Sequence, residues 1–476
     1  MTADGPADGF DAVVVGAGPN GLVAAVTLAT AGRRVLLVEA ADRVGGALRS
    51  QELTLPGFRH DVGATALPLA LASRAFRELG LTGDELRWAH PPVPVAHPLD
   101  GRDAVLVHRD VEVTARGLGR DGGPWRALVG ATARAGPPLV DTLLSPLGVP
   151  SAPLAAVRYG LTGALPATWL GRAAFRTVAG RAVFARMAAH SVLDLRQPIT
   201  AGYGMLLAAL AHAVGWPVVQ GGSQHLADAL AARLERLGGE LRTGTTVTSL
   251  DELPAAPIVV LDLTPRQVLA VAGHRLPDRY RRRLERFRYG PGVFKLDWAL
   301  DGPVPWADPR VGQAGTVHLG GTLEEVAAGE RDVARGRHPD RPYVLCVQPT
   351  VPDPSRAPAG KHVLWAYCHV PNGSTRDQTE VIEAQLERFA PGFRERVLAR
   401  HALAPKALEA FDANLVGGDI GGGAADLRQF ATRPVAALRP WATPVPGLFI
   451  GSSSTPPGGG VHGMGGWHAA RLALRR

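Results

Sequence analysis

The spacing of apolar residues divides the chain before any motif is read. Residues 11–39, DAVVVGAGPNGLVAAVTLATAGRRVLLVE, open with an apolar run over 12–15 that breaks at Gly16-Ala17-Gly18-Pro19-Asn20-Gly21. A stretch rich in Ala, Leu and Val then predicts a helix to Ala31, Gly32 stops it, and 33–38 form a second buried strand closed by Glu39. The same vocabulary returns late in the chain. Residues 224–237 predict a helix with Ser223 as its N-cap, Gly238-Gly239 a turn, then a strand through Val247 and another in PIVVLDLTP, 257–265. Residues 446–451, PGLFIG, predict a strand that returns to the first sheet, with a helix beginning at Val461.

Between these blocks the pattern changes. Residues 100–215 are rich in Ala, Leu, Pro and Arg. Over 170–189, arginines at 172, 176, 181 and 186 predict one or two amphipathic helices, either a membrane-surface or substrate-lid element or an arginine-faced cover over a core. GPGVFKLDWALDGPVPW, 290–306, alternates: Phe294, Leu296, Trp298 and Leu300 on one face, Val293, Lys295, Asp297 and Ala299 on the other. With YVLCVQPTVP and HVLWAYCHVP it predicts an antiparallel sheet.

The first glycine cluster has a physical reading. Gly16 permits the tight turn, Gly18 lets backbone approach a pyrophosphate, and Gly21 lets the helix lie close to the sheet. The helix start, with Pro19 and Asn20, offers free N–H groups and a positive dipole end. Glu39 ends the second strand, where it accepts from ribose hydroxyls and disfavours a 2′-phosphate, which selects FAD or NAD over NADP. The terminal stretch STPPGGGVHGMGGWHAARLAL repeats the theme of a glycine turn feeding a helix. GGDIGGG, 417–423, is rich in glycine without a flanking strand or a terminal acid, so a separate nicotinamide domain is not expected.

Composition narrows the classes. The 476 residues exceed one ordinary core, and 46% hydrophobic with 20% charged residues is a globular balance. No apolar run is long enough to span a membrane, and the first ten residues lack a signal-peptide pattern, so a cytoplasmic location is expected. The formal charge is +8, yet only three basic residues are lysines, Lys295, Lys361 and Lys406, and the arginines are scattered. That pattern argues against nucleic acid and leaves room for peripheral contact with an acidic membrane surface. Cys346 and Cys368, both in strand-like runs, exclude a disulfide framework, a zinc cluster and a dithiol centre.

Beyond the opening unit, ADRVGGALRS, 41–50, resembles the second glycine motif of the glutathione-reductase-like FAD superfamily, and RHDVGAT, 59–65, resembles the next segment of that family. With WPVVQGGSQHLADAL and PGLFIGSSSTPPGGGVHGM, the chain resembles phytoene desaturase-like FAD-dependent oxidoreductases from end to end, in the branch that also holds amine oxidases. The resemblance implies an α/β fold, with a discontinuous Rossmann-like FAD-binding domain (1–100, 216–289 and 410–476) and an inserted α+β substrate domain (101–215 and 290–409). That inserted domain would comprise a helical cap and an antiparallel sheet.

The resemblance assigns Ala40, Arg43, Gly45, Gly46, Ala47 and Arg49 to the cofactor. Ala64 and Thr65 lie near the flavin ring, and Val247 lies at the adenine. Gly451 ends the returning strand, the turn from Ser452 to Gly460 crosses to the flavin, and Val461 and His462 begin the helix whose N-terminus would aim at the flavin's N1 and O2. It implies hydride abstraction from an apolar small molecule, with oxygen or a quinone as acceptor.

A departure from typical phytoene desaturases is Lys295. The segment around it resembles the amine-oxidase strand whose lysine holds a water at flavin N5, with Trp306 as the following tryptophan. Lys295 and His462 are the candidate catalytic residues, and His60, His318, His369 and Tyr367 are further residues able to act as bases. Alternative readings are an amine oxidase, a redox-neutral isomerase, or a non-catalytic binding protein on the same fold. The intact glycine motifs oppose the last.

Overall fold

The structure, a computed structural model, describes residues 9–81, 85–145, 150 and 152–475. Two sheets organise these residues. The first has five parallel strands, in spatial order Leu448–Ile450, Ile258–Leu261, Ala12–Val15, Val35–Val38 and Glu240–Arg242. Val15 lies beside both Leu261 and Val38, so the strands finish level with one another. Their pleat divides the apolar side chains. Ala12, Val14 and Leu37 pack with Leu22 and Val26 of the helix Pro19–Thr30, whereas Val13, Leu36 and Leu261 pack with Val268 and Val271 of the helix Pro265–Ala272. Burial on both faces is why four of these strands, all but the exposed edge strand Glu240–Arg242, read as unbroken apolar runs.

Glycine sets how closely the helices pack here. A Cβ on Gly21 would lie 1.9 Å from the Gly16 carbonyl oxygen. One on Gly466, in the terminal helix Met464–Ala473, would lie 1.8 Å from the Asn20 carbonyl oxygen. The last helix therefore rests directly on the first turn of the first one.

The second sheet has seven strands, in the order Val397–Leu403, Gly292–Leu300, His362–Val370, Val344–Val347, Ala314–Leu319, Val93–Leu99 and Arg102–Val107. All its pairs are antiparallel except Ala314–Leu319 with Val93–Leu99. The alternation over 292–300 is realised. Phe294, Leu296, Trp298 and Leu300 pack with Ile382 and Phe393, while Val293 and Ala299 join clusters on the opposite side. The buried cysteines sit in two of these strands.

Several local expectations are corrected. Val93–Leu99 falls within 1–100 but hydrogen-bonds into the seven-stranded sheet, because its ladder partner is Ala314–Leu319 rather than any strand of the parallel sheet. The strand expected through Val247 ends at Arg242. Beyond it, the Gly244 and Thr245 N–H groups turn to the Ala41 and Glu39 carbonyls, and the ladder stops. Ser223 does not cap the helix Gln224–Arg236. Its own backbone is already helical, its N–H donates to Asp61, and its hydroxyl finds no partner. The arginine-rich stretch forms two helices, Ala167–Ala174 and Val178–Ala188, the second largely buried. Arg186 has no solvent exposure, and its guanidinium binds the carbonyls of Pro98, His318, Gly320 and Gly321. Four acceptors replace the lost water, so this arginine staples helix to sheet instead of facing outward.

The substitution Gly466→Ala tests the helix contact. Overpacking against a backbone oxygen should cost about 3 kcal/mol in chemical denaturation, whereas Gly312→Ala, with nothing within 4 Å of its Cβ, should leave stability within about 0.5 kcal/mol of the wild type.

Candidate functional site

Four segments cross at the carboxyl end of the parallel sheet, where ligands of such sheets collect. Gly16 adopts a left-handed φ of 95° and Gly18 precedes the helix Pro19–Thr30. The Gly45 N–H donates to the Ala17 carbonyl at 2.8 Å, and a Cβ on Gly46 would lie 3.2 Å from the Gly18 Cα. On the other side the Ala64 N–H donates to the Ala47 carbonyl at 2.9 Å and the Val62 N–H to the Arg49 carbonyl at 2.8 Å. Residues 45–49 are thus laced between the first glycine turn and the 60–65 segment.

Glu39 stands at the open flank, accepting from the Ala17 N–H at 2.6 Å and the Ala41 N–H at 2.9 Å. Its carbonyl receives the Thr245 N–H, which brings the segment containing Val247 alongside. Ala40 and Arg43 are exposed beside it. Arg49 turns inward. Its guanidinium lies 3.7 Å above the Phe411 ring and donates to the Phe411 and Gly46 carbonyls. Burial lowers its pKa, against the opposing charges of Asp412 and Glu39.

The fourth segment comes from the far end of the chain. The Gly451 N–H donates to the Leu261 carbonyl, and Asn20 Nδ2 reaches Ser453 Oγ at 3.3 Å. Gly460 and Val461 lead into His462, whose two nitrogens are both engaged. Nδ1 accepts the Met464 N–H at 3.1 Å, so Nε2 carries the proton and donates to the Gly458 carbonyl at 3.1 Å. Burial pushes its pKa down to about 4. This neutral imidazole ties the turn to the helix start, which gives His462 a positioning role rather than that of a free base.

Sequence reasoning left GGDIGGG unassigned, and the structure packs it against this turn. Ser454 Oγ donates to the Gly422 carbonyl at 2.7 Å, and buried Arg433 bridges the carbonyls of Gly421, Gly422 and Ser453. Its five glycines in seven residues, with no strand of their own, were the available signal.

Lys295 lies beneath the 60–65 segment. It is 2% exposed, its ammonium contacts Asp297, and it sits 5.5 Å from the Trp365 ring centre. Asp297 also faces His60 Nδ1 at 3.5 Å, while His60 Nε2 meets Thr54 Oγ1 at 2.8 Å. Burial lowers the lysine's pKa, with Asp297 and Asp61 opposing. Trp306 lies elsewhere, in the cluster on the far side of the strand, bonded to Gln348. The remaining candidate bases lie deeper in the large sheet. His369 pairs with Glu330 at 2.9 Å, Tyr367 stacks near His369, and His318 meets His190 at 3.1 Å.

Thr65 spends its hydroxyl on Asp61, which also accepts from Ser50 Oγ, the Ser223 N–H and Arg356. Burial disfavours the Asp61 charge, but Arg356 and these donors outweigh it and hold its pKa below the ordinary value.

These residues fit a dinucleotide. The helix start after Gly18 offers N–H donors, Arg43 and Arg49 are cationic, Glu39 would offer a ribose acceptor, and the Asn20 Oδ1 is buried without a partner among the described residues. One residue the sequence reading missed works against an anion. Asp262, at the end of Ile258–Leu261, accepts the Gly21 N–H at 2.8 Å, and a Cβ on Gly18 would lie 2.9 Å from its Oδ2. Burial pushes its pKa up to about 8, despite the Gly21 hydrogen bond, and the charges of Asp412 and Glu39 add to the rise.

Residues 14–79 match the family described as NAD(P)-binding Rossmann-like domain. The rat protein named pyridine nucleotide-disulfide oxidoreductase domain-containing protein 2 is 27% identical, the match covering 98% of this chain and 93% of that one. The neurosporene-forming phytoene desaturase of Rhodobacter capsulatus is 28% identical over 94% of this chain and 91% of its own. Wild-type putrescine oxidase bound to putrescine shares the fold, with a TM-score of 0.60 at 19% identity and 98% coverage of each chain.

Asp262 generates a pH prediction. Because its folded pKa is raised from 3.8 to about 8, the folded chain keeps a proton that the unfolded chain loses. Its contribution to stability is complete below about pH 4 and lost as pH rises to about 8. The melting temperature of cofactor-free protein should fall across that window, and Asp262→Asn should reduce the slope; parallel curves for the two proteins would refute the assignment.

Proposed function

We propose, from the premise that this chain is a flavin-dependent oxidoreductase of the phytoene desaturase and amine oxidase family, that it binds FAD and removes hydride from a C–H bond of an apolar or amphipathic small molecule, with oxygen or a quinone accepting the electrons. The observation that carries this reading is the lacing of residues 16–21, 45–49, 60–65 and 451–463 at one end of the parallel sheet. FAD, when bound, supplies the two-electron acceptor. Glu39 would hold the ribose. The N–H groups after Gly18, with Arg43 and Arg49, would hold the diphosphate. The helix Met464–Ala473 directs its N-terminal end toward the 451–463 turn, and its dipole would offset negative charge at the flavin's N1/O2 edge. Val62, Val293, Trp365 and Tyr367 share one buried cluster, the apolar side on which a nonpolar substrate would be kept from water. On this reading the cofactor and substrate domains would divide along the two sheets, with Val93–Leu99 on the substrate side.

A second reading, that of an amine oxidase, is favoured by Lys295. An ammonium buried beside Asp297 would hold a proton beside a cofactor bound against residues 60–65 and assist oxygen.

Two measurements follow. Purified protein should show flavin absorbance and, after anaerobic photoreduction, recover its colour with air or a quinone but not with NAD+. Recovery with NAD+ would overturn the acceptor assignment, and no recovery with any of the three would indicate an isomerase. For Lys295, the paired substitution Lys295→Met with Asp297→Asn avoids leaving a lone buried carboxylate. Air reoxidation should slow about tenfold or more while the flavin spectrum persists. An unchanged rate with bound flavin removes Lys295 from the chemistry.

A further inference from the structure

Among the described residues, the helix Pro153–Gly163 is anchored chiefly along one side, with Arg158 reaching the Ala127 carbonyl. Tyr159 donates to the Gly202 carbonyl at 2.8 Å, and Gly163 admits the Gly202 backbone so closely that a Cβ would lie 3.1 Å from its Cα. Residues 154, 157 and 161 recur at helical spacing on the side opposite Tyr159 and Gly163. They are Leu154, Val157 and Leu161, and they are 88%, 61% and 72% exposed. Trp169, 58% exposed, lies in the next helix, Ala167–Ala174.

Along the sequence the charge of this region has one sign, and in the fold, among the described residues, it is offset by an ion pair only at Arg172, with Glu324. From Asp141 to Asp194 the chain contains no acidic residue between them, but five arginines. Arg186 is buried, while Arg158, Arg172 and Arg176 are exposed, Arg158 donating one N–H to the Ala127 carbonyl and Arg172 pairing with the exposed Glu324. A surface that is apolar along one helix and cationic around it complements a surface that is apolar beneath and anionic on top. A second copy does not meet that requirement, because a twofold contact would set these arginines against themselves. The exposed stripe is also displaced from the expected one: the helix Val178–Ala188 buries most of its apolar residues, Val178 being exposed, and among the described residues the exposed apolar face belongs to Pro153–Gly163.

We propose that the Leu154–Val157–Leu161 face, with Trp169 and the surrounding arginines, docks the protein onto a bilayer containing anionic lipid. The helix lies in the interface plane, with its leucines among the upper acyl chains, the indole at the headgroup level and the guanidinium groups on lipid phosphates. No helix among the described residues is long and apolar enough to cross a membrane, so contact of this kind is peripheral.

The full-length flavin-loaded protein should sediment with phosphatidylcholine vesicles containing phosphatidylglycerol, sediment weakly with phosphatidylcholine alone, and be released by high salt. Fluorescence should shift to the blue on binding, and a Trp169→Phe variant should lose most of that shift. Leu154→Glu with Leu161→Glu changes only exposed positions. It should keep the flavin spectrum and circular dichroism of the wild type while weakening vesicle binding about tenfold or more. Wild-type protein that stays in the supernatant with both vesicle types would overturn the proposal, as would a double variant that binds like the wild type. A dimer in light scattering that the double variant disperses, without vesicle binding, would assign the face to self-association instead.

Discussion

Asp61 and Arg356 face each other at 2.9 Å with no solvent exposure on either side chain, and the two halves of the site meet through them. Neither charge has water to solvate it, so every remaining lone pair and N–H must find protein. Asp61 takes Ser50, Thr65 and the Ser223 backbone; Arg356 takes Asp353 and the carbonyls of Arg59 and Val219. Those partners come from the second glycine segment, the 60–65 segment, the turn before Gln224–Arg236 and the loop after Val344–Val347. Removing either charge would strand the other, a penalty of about 3–5 kcal/mol, so the network holds these four segments in one arrangement.

That arrangement makes the glycine contacts consequential. With residues 60–65 pinned by Asp61, Gly63 and Ala64 press against Ala47, which in turn holds Gly45 and Gly46 against the first turn. Lys295 is caught in the same field, since Asp61 helps sustain its charge against burial. The opposing contribution is acidic. Asp262 is buried and Asp412 half-buried, both with raised pKa values near the glycine turns, so carboxyls stand beside the N–H donors of the cradle.

The legible parts were those whose signal is local. The turn at Gly16–Gly21, the strand pair around it and Glu39 follow from spacing alone, as does the alternation over 292–300. The returning strand Leu448–Ile450 was legible because PGLFIG is short, apolar and bounded by glycine. Arg186, Arg433 and Asp262 were not. A charged side chain reads as surface in sequence, and only the folded chain supplies the carbonyls or N–H groups that let it be buried. His462 shows the same limit, because a histidine beside a cofactor motif looks like a base until both nitrogens are seen to be bonded.

From residue pattern alone the chain determined a parallel nucleotide-binding unit, a largely antiparallel second sheet and a closing glycine turn. Periodicity and backbone freedom are written in neighbouring residues. Which segments cross, which side of the large sheet carries Lys295 away from Trp306, and which helix keeps its apolar face uncovered were decided by tertiary structure. Those outcomes depend on contacts between residues hundreds of positions apart, such as Asp61 with Arg356 and Asn20 with Ser453. Burial is a property of the assembled neighbours, and no single stretch of chain contains it.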